Sequence, residues 1–130
     1  MHPDDCIVEQ LIAVIATKWT PLVVLQLRDG TRRYSEVRRG LDGISARVLT
    51  ERLRMLEDLG LVERTVFAEV PVRVEYTLTA QGHGFGTILE SLAEWSTGVD
   101  RNDLVRARAV AVPPVAAPPV AHQRPTLRAL

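Results

Sequence analysis

The chain has 130 residues, is 46% hydrophobic and sets 16 basic against 16 acidic residues. That is enough for one modest core and too balanced for a protein held on nucleic acid by bulk charge alone. One cysteine beside three histidines excludes an internal disulfide and argues against a tetrahedral zinc site within the chain. With no basic and apolar leader and no run of about 18 apolar residues, the chain is expected to be soluble, cytoplasmic and away from any membrane.

Asp4 and Asp5 open a first helix, where their charge suits the positive end of its dipole. Val8, Leu11, Ile12 and Ile15 make its expected buried stripe. Thr20 is placed to cap a second helix with Pro21 at its first position, where no amide partner is lost. Leu22, Val24 and Leu25 form the body of that helix, and Asp29-Gly30 ends it. Thr31 to Tyr34 is too short to stand alone as a strand and is expected to pair with the edge of a later hairpin.

Ser35 to Leu41 reads as a short helix, Asp42-Gly43-Ile44 as a turn, and Ser45 to Gly60 as a longer helix. Ser45 can accept from the exposed amides of the first turn, and Gly60 supplies a left-handed stop. Leu49, Leu53 and Leu56 recur at helical spacing, while Arg47, Thr50, Glu51, Arg54 and Asp58 fall on the other side. Such a face is commonly a solvated surface. A short helix, a glycine-containing turn and a longer helix, however, form the pattern of a helix-turn-helix, whose second helix enters the DNA major groove.

Charge supports that reading. From Arg32 to Arg54 seven arginines face Glu36, Asp42 and Glu51, a local excess of four positive charges. Every basic residue except Lys18 is arginine, whose planar fork suits phosphate and guanine. Arg47 and Thr50, with Ser45 beside them, are the expected base or near-base contacts. Glu51 and Arg54 share their face, and Arg38, Arg39 and Arg73 are assigned to phosphates or the minor groove.

Leu61 to about Phe67 and Val72 to Thr79 make the next element. Val72, Val74, Tyr76 and Leu78 alternate with polar residues at the period of a half-buried strand, and Ala68-Glu69-Val70-Pro71 forms the tip, or wing. Thr79 then caps a last helix in which Phe85, Ile88, Leu92 and Trp95 recur every three or four residues. This stripe reads as a dimer surface with Leu11 and Ile15 of the first helix; the alternative is that both helices cover one core. The G-x-G-x-G formed by Gly82, Gly84 and Gly86 lacks the spacing and the βαβ setting of a phosphate loop, so no cofactor is expected. Beyond Gly98, AVPPVAAPPV marks an Ala/Pro/Arg-rich tail, residues 99–130, that is expected to be disordered.

The run from Cys6 to Trp95 resembles the HxlR family of bacterial winged-helix regulators. Its markers are the cysteine before the first helix, Lys18-Trp19, Arg33-Tyr34 with Glu36-Val37, Gly43-Ile44-Ser45 followed by Val48-Leu49-Thr50, Leu59-Gly60-Leu61-Val62, Val70-Pro71 with Arg73-Val74-Glu75-Tyr76, and Leu78-Thr79. The resemblance implies a mainly α (α+β) winged helix-turn-helix over residues 1–98, with extra N- and C-terminal dimerisation helices. It further implies a homodimer on a roughly palindromic double-stranded DNA operator, with the recognition helix in the major groove and the wing on the adjacent minor groove or backbone. Some members sense electrophiles or oxidants through the cysteine that matches Cys6, which the residues alone read as a small hydrophobe at a helix start. The extra glycines at 84 and 86 and the Pro/Ala tail depart from the family pattern.

Two other functions compete with a DNA-binding regulator, here read as a repressor. A winged helix used only as a protein-interaction module would deplete charge and show aromatics at its core, against arginines 38, 39, 47 and 54. An enzyme lacks support: no Ser/His/Asp or Cys/His constellation exists, and Asp4/Asp5 and Glu57/Asp58 sit at helix ends where a structural role suffices.

Overall fold

Six helices and three short strands follow one another in the computed structural model, which describes residues 3–111, with side chains from Ile7 onward. They are α1 (Pro3–Ile15), α2 (Thr20–Gln26), β1 (Arg32–Arg33), α3 (Tyr34–Arg39), α4 (Ala46–Asp58), β2 (Val62–Phe67), β3 (Arg73–Leu78), α5 (Ala80–Ser96) and α6 (Arg101–Ala111). Packing divides the chain into two units between Glu94 and Trp95. Among the described residues no single helix is long and apolar enough to cross a membrane.

The core of the first unit gathers Val23, Val24 and Leu27 of the α2 region, Val37 of α3, Leu41 and Ile44 of the turn, Leu49, Leu53 and Leu56 of α4, and Val62, Tyr76 and Leu78 of the hairpin. The three α4 leucines are buried at the predicted spacing. Each would cost about 2 to 5 kcal/mol to truncate to alanine. In α2 the inward residues are Val23 and Val24, whereas Leu22 and Leu25 are exposed. Thr20 does not cap α2. Trp19 takes the N-cap position at φ 80, and Thr20 is buried with its hydroxyl 2.8 Å from that of Thr17.

The sheet order is β1-β3-β2, all antiparallel, so the short segment before α3 does pair with the hairpin edge. Opposed residues share a face and successive ones alternate. The pairs Val62–Leu78, Arg64–Tyr76 and Val66–Val74 therefore lie on the core side, and Glu63–Thr77, Thr65–Glu75 and Phe67–Arg73 on the other. Arg33, opposite Glu75, joins the second face.

Helices α1 and α5 differ from expectation. The α1 stripe is not buried within one chain: Val8, Leu11 and Ile12 are exposed, Leu11 at 46%, and only Ile15 is half-buried. In α5 the apolar stripe splits. Phe85, expected at a dimer surface, packs with Leu89 against the core, while Ile88 and Leu92 face solvent. The salt bridge from Arg28 to Glu90 ties the end of α2 to this helix.

Residues 101–111 form a helix where disorder was expected. Asp100 caps it, its carboxylate accepting from the Asn102 amide at 2.6 Å and its carbonyl from Leu104 at 3.0 Å. Leucine, alanine and arginine favour the helix, which is described as far as Ala111. The remainder of the tail, including its prolines, lies outside the described residues.

Candidate nucleic-acid interface

The α4 helix is fixed at both ends by groups that its own sequence supplies. Ser45 Oγ accepts from the Val48 amide at 3.1 Å, satisfying one of the orphan donors of the first turn. At the far end Gly60, at φ +73, lets its amide reach the Glu57 carbonyl at 2.9 Å and the Leu61 amide reach that of Leu56 at 2.9 Å. That is the paired closure of a Schellman stop. The Gly60 carbonyl then accepts from Thr79 Oγ1 at 2.6 Å, and the same hydroxyl accepts from Gly82 at 3.1 Å. One threonine thus caps α5 and anchors the end of α4.

Gly82 makes the contact possible, since a Cβ there would stand 2.0 Å from the Leu61 carbonyl oxygen. The G-x-G-x-G stretch is helical, within α5, and Gly82 is its close-packed position.

At its other end α4 is held by Tyr34, whose hydroxyl donates to the Ala46 carbonyl at 3.0 Å and lies 3.4 Å from Thr50 Oγ1. Thr50 is therefore half-buried and partly turned inward. Arg47 is the outward group, its side chain 87% exposed, with Nε donating to Glu51 Oε1 at 3.1 Å. That bond occupies Nε and leaves the two terminal nitrogens of the fork facing solvent, the donor pair that a guanine edge requires. Arg54 is exposed on the same helix.

Arg38 and Arg39 are exposed at the end of α3, and Arg39 Nε donates to the Ser35 carbonyl at 3.3 Å. They line a shallow cleft with Tyr34, Ser35, Asp42 and Ile44. Arg52, counted in the positive excess, is structural: its Nε reaches the Lys18 carbonyl at 3.3 Å.

Arg73, assigned to phosphate or the minor groove, is the most enclosed of the assigned arginines. Its side chain is only 26% exposed and lies 3.2 Å from carboxylate oxygens of both Glu69 and Glu75. Its guanidinium stacks 3.9 Å over the Phe67 ring. Two acids lie beside this one base, and pair parity turns it to the sheet face away from the core. The residue that the sequence reading passed over is Arg64, on the same face as Tyr76. It lines a crevice with Thr50, Arg54, Glu57 and Tyr76. Hairpin register was the signal that could have found it, since Arg64 is an even number of positions from buried Val62. The Cys6 side chain lies outside the described residues.

The chain matches the HxlR-like helix-turn-helix family model over residues 14–103. It is 42% identical over 89 residues to the HTH-type transcriptional regulator YvaP of Bacillus subtilis (strain 168), covering 68% of this chain and 82% of that one. Among solved structures it is similar to the redox regulator HypR in its oxidized form, with TM-score 0.66 and 38% identity over 73% of this chain and 98% of the other. It is also similar to diamide-treated YodB from B. subtilis, with TM-score 0.63 and 32% identity over 76% and 95% of the two chains.

Proposed function

The chain belongs to the HxlR-like helix-turn-helix family of transcriptional regulators, and from that membership we propose that it is a homodimeric, sequence-specific repressor that reads double-stranded DNA with α4. The observation that carries the reading is the free terminal fork of Arg47, held outward on a helix whose two ends are capped. Ser45, Thr50, Glu51 and Arg54 belong to the same contact face, and Arg38 and Arg39 hold phosphates on the flank. The exposed residues Leu11, Ile88 and Leu92 of the first unit, with Ile15, supply the dimer surface. Two recognition helices would then read half-sites of a roughly palindromic operator about 34 Å apart.

Thiol control through Cys6 is part of the proposal. Similarity to a redox regulator and to a diamide-treated regulator supports it, and Cys6 is the single cysteine of the chain. Oxidation or adduct formation at that sulfur would alter α1 beside the dimer surface and so change the spacing of the two recognition helices.

Selection of binding sites from a random duplex library, using the full chain, tests the DNA reading. An enriched two-fold-symmetric motif is expected, and enrichment of nothing would leave the protein-interaction reading in its place. Operator affinity before and after diamide, in wild type and Cys6→Ser, tests the switch. A change confined to the wild type is expected; equal responses would sink it.

A further inference from the structure

Arg54 of α4 and Arg64 of β2 open onto one crevice, together with Thr50, Glu57 and Tyr76. Among the described residues neither arginine is joined to a carboxylate by an ion pair. Arg73, by contrast, is neutralised twice over on the opposite face of the hairpin. The strand register explains the separation. Arg64 stands opposite Tyr76, a core residue only 8% exposed, so its stem runs along the core side of the hairpin and its guanidinium emerges where the sheet meets α4.

Two guanidiniums and the Glu57 carboxylate leave the crevice with one net positive charge. A phosphodiester carries one negative charge, and two arginine forks present the planar donors that suit its oxygens. The position fits a duplex as well. Arg54 lies two helical turns beyond Arg47, about 10 Å along the axis, a span comparable with the roughly 12 Å width of the major groove. When Arg47 meets a base edge inside the groove, the groove wall comes to the height of Arg54.

We propose that this crevice holds one backbone phosphate of the bound duplex, with Arg54 and Arg64 as its donors and Glu57 limiting its strength, so that the phosphate contact of the winged hairpin is made by Arg64 at its base. The proposal rests on the DNA-binding reading above.

The test is the salt dependence of binding of the full chain to a random-sequence duplex, for wild type, Arg54→Ala, Arg64→Ala, Arg64→Lys and Glu57→Gln. Each alanine variant is expected to flatten the slope of log K against log salt by about one unit. Arg64→Lys should keep the slope, because the charge is kept, and Glu57→Gln should bind more tightly than wild type at low salt. A wild-type slope in Arg64→Ala overturns the crevice assignment and leaves the DNA reading intact. Absence of wild-type binding at low salt overturns both. A parallel titration with inorganic phosphate, followed by the side-chain NMR signals of Arg54 and Arg64, separates the two sources of a phosphate group. Saturation by free phosphate together with unaltered duplex binding in Arg64→Ala would make this a small-anion site and overturn the duplex assignment.

Discussion

Arg47 Nε and Glu51 Oε1 stand 3.1 Å apart, one turn from each other on the outward face of α4. The pair is solvent-exposed and contributes little to stability, well under about 1 kcal/mol. Its consequence is orientation: a guanidinium held at Nε keeps its terminal nitrogens parallel and free.

Arg47→Ala is therefore expected to cost about 1 to 3 kcal/mol on the selected operator, with a much smaller loss on random duplex. Glu51→Ala should narrow the ratio of operator to random affinity from the other side, raising random binding because a carboxylate has left the phosphate-facing surface. Competition binding with both duplexes reads the two effects. An Arg47→Ala protein with wild-type affinity for both would remove this residue from the interface.

The wing depends on Arg73 for order. Arg73→Ala removes the stacking on Phe67 and leaves Glu69 and Glu75 without their shared cation, a loss of about 1 kcal/mol. Amide hydrogen exchange across β2 and β3 is expected to quicken at the tip first. Unchanged protection there would mean that the hairpin holds without this residue.

The glycines of α5 should answer alanine with opposite signs. At Gly82 the new Cβ meets the Leu61 carbonyl, and the shift it forces costs about 1 to 3 kcal/mol, more than the helix propensity returns. At Gly84 nothing lies within 4 Å, so alanine should stabilise by up to about 1 kcal/mol. Thermal melting distinguishes them; a Gly82→Ala protein that melts above wild type would show that the α4–α5 junction is looser than its contacts imply.

The split stripe of α5 separates folding from association. Ile88→Asp and Leu92→Asp change residues that are 64% and 55% exposed within the chain, so a folded monomer is expected. Phe85→Asp places a charge against the core and should unfold the protein. Light scattering combined with circular dichroism tells the cases apart. A folded dimer in the double variant Ile88→Asp/Leu92→Asp would place the subunit contact elsewhere.

Local order was legible in the chain itself. Ser45, Gly60 and the leucines at 49, 53 and 56 define α4 because capping and helical periodicity act within a few residues, and the alternation around Tyr76 defines β3 for the same reason. What tertiary structure alone decided was direction. The periodicity of Phe85, Ile88, Leu89 and Leu92 says that α5 has an apolar side; only the core beneath it divides that side into an inner and an outer half. The same holds for α1, whose apolar stripe is exposed at Val8, Leu11 and Ile12 and half-buried at Ile15. Arg64 and Arg73 are equally basic in the sequence, and only the pairing of β2 with β3 sends one guanidinium beside α4 and the other between two carboxylates. Helix and strand formation depend on neighbours along the chain. Burial and charge pairing depend on residues brought from far away in it, and so they appear only once the fold has closed.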